Sequence, residues 1–179
     1  DFSAVQEFTV EAGRPDSITR EKLEVLKKHG VGRISINPQT MKQDTLRLIG
    51  RRHTVEDVVD RFKLAREVGF DNINMDLIIG LPEETLEDVQ ATMEAVKALA
   101  PDSVTVHSLA IKRAARLNTM KEVYKDLKIE NTQEMIDLTA RYAREMGLEQ
   151  YYLYRQKNMA GNFENVGYAA PGKACIYNV

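Results

Sequence analysis

Four polar side chains fall where strands of the predicted sheet end, and their types suit the binding of a polar ligand. Asp76 lies within an otherwise apolar run, 73–79. A buried carboxylate is costly unless it is paired or hydrogen-bonded, so Asp76 either accepts hydrogen bonds from ligand hydroxyl groups, or caps a loop or pairs with an arginine. Glu11 and Gln39 end two other strands, and Arg51 follows the second. Carboxylates and an amide suit hydroxyl and amino groups, and a guanidinium suits a carboxylate.

A repeating order of β-rich run, connection and amphipathic helix must position these side chains. The β-rich runs are 7–11, 33–37, 73–79, 104–109 and 150–155. This alternation predicts an α/β fold with parallel strands, and about five βα units fit a partial TIM-like barrel. The longer connections follow the carboxyl ends of the strands, which is where such folds place their ligand sites.

Local signals predict where the helices begin and end. Thr54 and Thr85 each precede an acidic residue by three positions, as in a capping box. Apolar residues at helical spacing follow both and are expected to form the core. A last helix is expected at about 131–146. Residues typical of helix ends are Gly30, Gly69, Pro101 and Gly147.

Composition limits the function classes. The 25 basic and 27 acidic side chains give a net charge of -2, so no overall field attracts nucleic acid or a membrane surface. No apolar run approaches the roughly 20 residues that span a bilayer, and the first residues show no signal pattern, so we expect a cytoplasmic protein. Cys175 is the single cysteine, which excludes a disulfide or a metal site built from several thiolates within this chain.

Several spaced motifs together resemble one family. The motif N-x-D-L-I-x-G-L-P-x-x-T extends from Asn74 to Thr85, and YLYRQKN at 152–158 is followed by NVGY at 165–168. With the spacing from Gln39 through Arg51 and Asp76 to Ala110, these motifs resemble the oxygen-independent coproporphyrinogen oxidase family of radical S-adenosylmethionine (radical SAM) proteins. The resemblance covers nearly the whole chain.

The resemblance implies a radical SAM barrel and a set of site residues. Asp76 and Gln39 would bind the ribose hydroxyls of S-adenosyl-L-methionine, Arg51 its carboxylate, Glu11 its amino group, and the main chain near Ala110 its adenine. The family uses a 4Fe-4S cluster to form a 5′-deoxyadenosyl radical, which starts oxidative decarboxylation of propionates and converts coproporphyrinogen III to protoporphyrinogen IX in haem biosynthesis. The partner is then a tetrapyrrole. No catalytic residue is assigned.

This chain departs from the family in lacking the CxxxCxxC loop and the Gly-rich loop expected after the first two strands. We therefore expect a fragment whose run 7–11 corresponds to the third strand of the barrel, with no cluster ligands, no metal site and no activity alone. Residues 1–155 would form the partial barrel, and 156–179 would begin a C-terminal aromatic and Gly-rich extension. An exposed first strand would favour self-association.

Alternatives remain at the level of function and of single residues. The protein could be a haem-binding or haem-delivery protein of the same superfamily, or another radical SAM enzyme; a cluster-free sugar-phosphate barrel lacks its phosphate-cradling turn here. His107 is either a proton donor or a hydrogen-bonded structural histidine. Five basic residues either form a rim that binds a tetracarboxylate tetrapyrrole or are ordinary solvated surface charges: Arg51, Arg52, Lys112, Arg113 and Arg116.

Overall fold

A computed structural model describes residues 4–109, 127–155 and 163–178. Within these ranges the strands form one sheet of six, in the order β1-β2-β3-β4-β6-β5. The strands are β1 Thr9–Gly13, β2 Arg33–Gln39, β3 Ile73–Ile79, β4 Ser103–Ser108, β5 Glu149–Tyr154 and β6 Asn165–Ala169. The helices are α1 Arg20–Lys28, α2 Gln43–Leu48, α3 Val55–Val68, α4 Leu86–Leu99 and α5 Gln133–Glu145.

The sheet is parallel from β1 to β4 and becomes antiparallel at β6. β6 lies between β4 and β5 and is antiparallel to both, so β5 runs in the same direction as β1 to β4 without pairing with any of them. The α/β class and the parallel direction of the five predicted strands are therefore confirmed. The prediction missed β6, which falls within the proposed extension after residue 155; that domain boundary stays a prediction.

One face of the sheet carries the hydrophobic core. Alternate residues of the strands, among them Ile34, Met75 and Val104, are fully buried against the helices. Phe62 of α3 and Met93 of α4 fill the same layer. This is the expected result when a strand with period two presents every second side chain to amphipathic helices. Across the helix layer α1 packs on α3, and α4 packs on α5.

The predicted capping boxes are both present. The Thr54 hydroxyl accepts from the Asp57 amide while the Asp57 carboxylate accepts from the Thr54 amide, and Thr85 and Asp88 make the same pair at α4. Gly69 ends α3 at φ 99°, a left-handed conformation that glycine adopts without strain. These local hydrogen bonds fix where two helices begin and thus how their apolar sides meet the sheet.

The last described residues lie against the amino-terminal end of β1. The Ile176 amide and the Cys175 thiol both donate to the Glu7 carboxylate, at 2.9 and 3.3 Å. Burial raises the pKa of the Cys175 thiol, and its bond to Glu7 acts in the same direction. β1 is an edge strand, paired with β2 alone among the described strands, and self-association through it stays a prediction. No described helix is long and apolar enough to cross a membrane.

Candidate ligand site on the polar face of the sheet

The face of the sheet opposite the helices is polar. Register places Ser35 beside Asn74 and Asp76 beside Thr105, and Glu11 pairs with Ser35 on the other side. The same strands that bury isoleucine, methionine and valine toward the helices therefore present hydroxyl, amide and carboxylate groups on their other face. This alternation explains how Asp76 is tolerated within an apparently apolar run.

A chain of hydrogen bonds crosses three strands on this face. Asn74 Nδ2 donates to Asp76 Oδ1 at 2.7 Å and to Ser35 Oγ at 2.9 Å. Ser35 Oγ donates to Asn37 Oδ1 at 2.7 Å, and Asn37 Nδ2 donates to Glu11 Oε2 at 3.2 Å. Asp76 is thus supported by an asparagine of its own strand, and no arginine among the described residues lies within ion-pair distance of it.

Asp76 sits in an unfavourable place for a negative charge. Its side chain is 19% exposed, and His107 Nε2 lies 4.0 Å from Oδ1. Burial raises the pKa of Asp76, and the Glu11 carboxylate raises it further, while His107 and Asn74 oppose the shift. A carboxylate whose charged form is poorly solvated gains the most from new hydrogen-bond donors, so ligand hydroxyl groups would be effective partners.

A cavity of about 520 Å³ opens beside these groups. Asp76, Glu11 and His107 line it together with aromatic residues of β5. A β-bulge between Gln150 and Tyr152 lets Tyr151 and Tyr152 both reach the cavity. Gly167 is part of the same arrangement: a Cβ there would lie 3.0 Å from the Tyr151 ring, so glycine permits the close approach.

Two predicted residues, Gln39 and Arg51, follow β2 or end it and do not line this cavity. Gln39 ends β2 with φ 72°, and its side chain makes no hydrogen bond to the described residues although only 8% of the residue is exposed. Arg51 is half-buried near Arg14 and Asp16, and burial lowers its pKa, with Arg14 acting in the same direction. Glu11 and Asp76 thus line one cavity, whereas Gln39, which pairs in register with Leu77 of β3, and Arg51 are not among its lining residues.

The remaining predicted residues fall partly outside the described ranges. Ala110 does so, as do Lys112, Arg113 and Arg116. The Leu109 amide donates to the Ile79 carbonyl at 2.9 Å, so the chain reaches residue 109 at the same edge as the end of β3. Sequence reasoning assigned no role to Asn74 and did not consider Ser35. The two-residue spacing from Asn74 to Asp76 was the available signal, because it puts both on one face.

The donor set fits one family cofactor and not the other. Carboxylates, amides and an arginine are suitable partners for ribose hydroxyls and for the amino and carboxylate groups of S-adenosylmethionine. A 4Fe-4S cluster needs several thiolates, and this chain has Cys175 alone, which lines the same cavity and donates its thiol hydrogen to Glu7. The cluster ligands are therefore absent from this chain.

Comparison with known proteins agrees with the architecture. The model of the radical SAM superfamily matches residues 6–96, about half of the chain. Coproporphyrinogen III oxidase (HemN) from Escherichia coli, a solved structure, superposes with a TM-score of 0.70 over 93% of this chain and 36% of its own, at 24% sequence identity. That likeness concerns the fold.

Curated relatives carry three kinds of name. The oxygen-independent coproporphyrinogen-III oxidase-like protein HemZ of Bacillus subtilis is 48% identical over the whole chain, and the heme chaperone HemW of the same organism is 42% identical over 62% of it. The oxygen-independent coproporphyrinogen III oxidase of Escherichia coli is 30% identical over 76% of the chain. The chain spans 36% of the HemZ protein and 29% of the other two. Radical SAM proteins use S-adenosylmethionine and a 4Fe-4S cluster, and this chain belongs to the radical SAM superfamily.

Proposed function

We propose that the chain forms the S-adenosylmethionine-binding side of a radical SAM oxidoreductase that decarboxylates the propionates of coproporphyrinogen III. The supporting observation is Asp76, a mostly buried carboxylate with a raised pKa that lines a cavity together with Glu11. The matched family and the oxidase relative support the reaction class. A cytoplasmic location is part of this proposal.

Each residue has a task that its chemistry permits. Asp76, ionised, accepts hydrogen bonds from the ribose hydroxyls, and Asn74 fixes its orientation through the 2.7 Å bond to Oδ1. Glu11 accepts from the amino group, with Asn37 holding one of its oxygens. When bound, the cofactor supplies the hydrogen-abstracting chemistry; the chain orients it and excludes water. The cluster would be ligated elsewhere in the full-length protein.

The binding roles can be tested with S-adenosylhomocysteine, titrated calorimetrically into the full-length protein. Asp76→Ala should weaken binding at least about tenfold, because ribose hydroxyls lose a charged acceptor. Asp71→Ala is the matched control: Asp71 precedes β3 at the opposite end, where its carboxylate accepts from Lys173. Equal affinities of the two variants would contradict the proposed site.

The reaction can be tested with the reconstituted full-length protein under anaerobic conditions. With a one-electron reductant such as dithionite and an added electron acceptor, coproporphyrinogen III and S-adenosylmethionine should give 5′-deoxyadenosine, methionine, CO₂ and a vinyl product. A second function, haem binding and delivery, is favoured by the 42% identity to the heme chaperone HemW. Stoichiometric haem binding without 5′-deoxyadenosine or vinyl product would replace the first proposal by the second.

A further inference from the structure

Gln39 has a backbone conformation that its residue type disfavours. Its φ of 72° is left-handed, and Gln39, Glu83 and Ala100 are the non-glycine residues with positive φ in the described ranges. Such a conformation is strained for a residue with a side chain and persists only where the surroundings impose it. The surroundings of Gln39 are therefore informative about why the strain is kept.

The residue after Gln39 is held by a buried hydrogen-bond cluster. Thr40 is 1% exposed, and its hydroxyl donates to Glu84 Oε1 at 2.6 Å. The same hydroxyl accepts from the Lys42 amide at 3.2 Å and lies 3.3 Å from the hydroxyl of Thr92 on α4. Glu84 is 4% exposed, and burial raises its pKa. Residues 40 and 84 thereby join the connection after β2 to the connection after β3.

The residue before Gln39 is also fixed. The Pro38 carbonyl lies 3.3 Å from Nε2 of His53, which is fully buried at the start of α3. Burial lowers the pKa of His53, so the ring is neutral and donates to Pro38 from Nε2. Contacts from α3 and from the start of α4 thus hold the chain on both sides of Gln39.

A second set of hydrogen bonds also joins the connection after β2 to the connection after β3. Lys42 Nζ donates to the Glu83 carbonyl at 2.9 Å and to Asp88 Oδ2 at 2.8 Å. Glu83 is itself left-handed, with φ 61°. Two strained residues, one at the end of β2 and one in the connection after β3, therefore lie next to side chains that link these two segments.

We propose that Thr40 and Glu84 are positioning residues, which hold Gln39 in its left-handed conformation so that its amide, which makes no hydrogen bond to the described residues, faces the adenosyl ligand. This inference rests on the proposed function and on the ribose-binding role that the family resemblance implies for Gln39. It explains why a polar threonine and glutamate are buried in the connections after β2 and β3. It also gives a role to Glu84, the second glutamate of the G-L-P-E-E-T segment.

A double-mutant cycle in the full-length protein tests the inference, with S-adenosylhomocysteine as the probe. Thr40→Val removes the donor to Glu84 and should weaken binding about tenfold, whereas Thr40→Ser should stay near wild type. In the Gln39→Ala background, Thr40→Val should have no further effect. The matched control is Thr139→Val: Thr139 is also 1% exposed, and its hydroxyl donates to the Ile136 carbonyl within α5, so this variant should keep wild-type affinity.

The outcomes separate the inference from the proposed function. If Gln39→Ala weakens binding and Thr40→Val weakens it equally in both backgrounds, the positioning role is wrong and the site stands. If Gln39→Ala has no effect, the assignment of Gln39 is wrong as well. Should Thr40→Val fail to fold, melting temperatures decide: Gln39→Gly should melt above Gln39→Ala, because glycine adopts φ 72° without strain, and equal values would contradict an imposed conformation.

Discussion

The two faces of one sheet have different physical tasks. On the helix face, Met75 and Leu77 are fully buried, and their contribution depends on excluded water. Between them, Asp76 faces the other way and depends on hydrogen bonds that cross to neighbouring strands. Stability should therefore be concentrated on one face and ligand affinity on the other, although both are encoded in alternate residues of the same strand.

The largest effect should come from the helix face. Phe62 of α3 is 2% exposed, and Phe62→Ala should lower the free energy of unfolding by about 3–5 kcal/mol, since it removes buried surface and leaves a cavity. Urea unfolding of the full-length protein measures this. Affinity for S-adenosylhomocysteine should remain unchanged where the variant is folded. A loss below about 1 kcal/mol would mean that the core does not determine stability here.

A smaller loss of stability is expected when the N-terminal cap of α3 is removed. Thr54→Ala removes the side chain that caps α3 and should cost about 1 kcal/mol, whereas Thr54→Ser should cost much less. The same unfolding experiment measures both. Equal losses for alanine and serine would show that packing of Thr54, and not its hydroxyl, begins the helix.

On the polar face a substitution should stabilise the protein, in contrast to the losses expected on the helix face. The raised pKa of Asp76 means that the folded protein holds this proton more tightly than the unfolded chain, whose value is the ordinary 3.8. The free energy of unfolding therefore falls as pH rises from 3.8 through the raised pKa. Asp76→Asn should remove that decrease and stabilise the protein at neutral pH by about 0.5–1 kcal/mol, while it weakens ligand binding. A pH series of unfolding curves measures the difference, and a neutral-pH loss of stability would contradict it.

The smallest effect on stability is expected at an exposed ion pair on the helix surface. Arg20 and Glu67 form a 2.7 Å ion pair on the outer surface of the helices, with side chains 48% and 61% exposed. Arg20→Gln should change stability by less than about 0.5 kcal/mol, because water screens the pair. At high salt concentration the wild type and the variant should have the same free energy of unfolding. A larger effect would show that the outer surface is not energetically neutral.

The sequence predicted most of what depends on nearby residues. The bounds of β3, both capping boxes and the α/β class could be inferred, because apolar runs, Thr-x-x-Asp signals and glycine ends act over a few positions. β6 was missed: its core, Val166-Gly167-Tyr168, contains a glycine that weakens a strand signal, and its pairing with β4 is decided by residues about 60 positions earlier.

The sequence predicted two residues that line the site, but it did not predict the hydrogen bonds that surround them. Asp76 and Glu11 do meet on one face, but the sequence interpretation could not say that Asn74 and Ser35 link Asp76 to Asn37 and thus to Glu11. Nor could it detect the bond from Thr40 to Glu84, which joins residues 44 positions apart. Such contacts depend on strand register and loop geometry, which a single sequence does not specify.

The position of β6 has a consequence for synthesis of the protein. β5 pairs with β6 alone among the described strands, so when β5 leaves the ribosome the strand that it lies beside has not yet been made. The strand must wait until Asn165–Ala169 follows, and its tyrosine-rich surface stays uncovered during that interval. The pairing of β6 with β4 joins residues about 60 positions apart, and such non-local pairing slows folding and lengthens the exposure of unpaired edges, so β4 and β5 each keep an unpaired edge until β6 has formed.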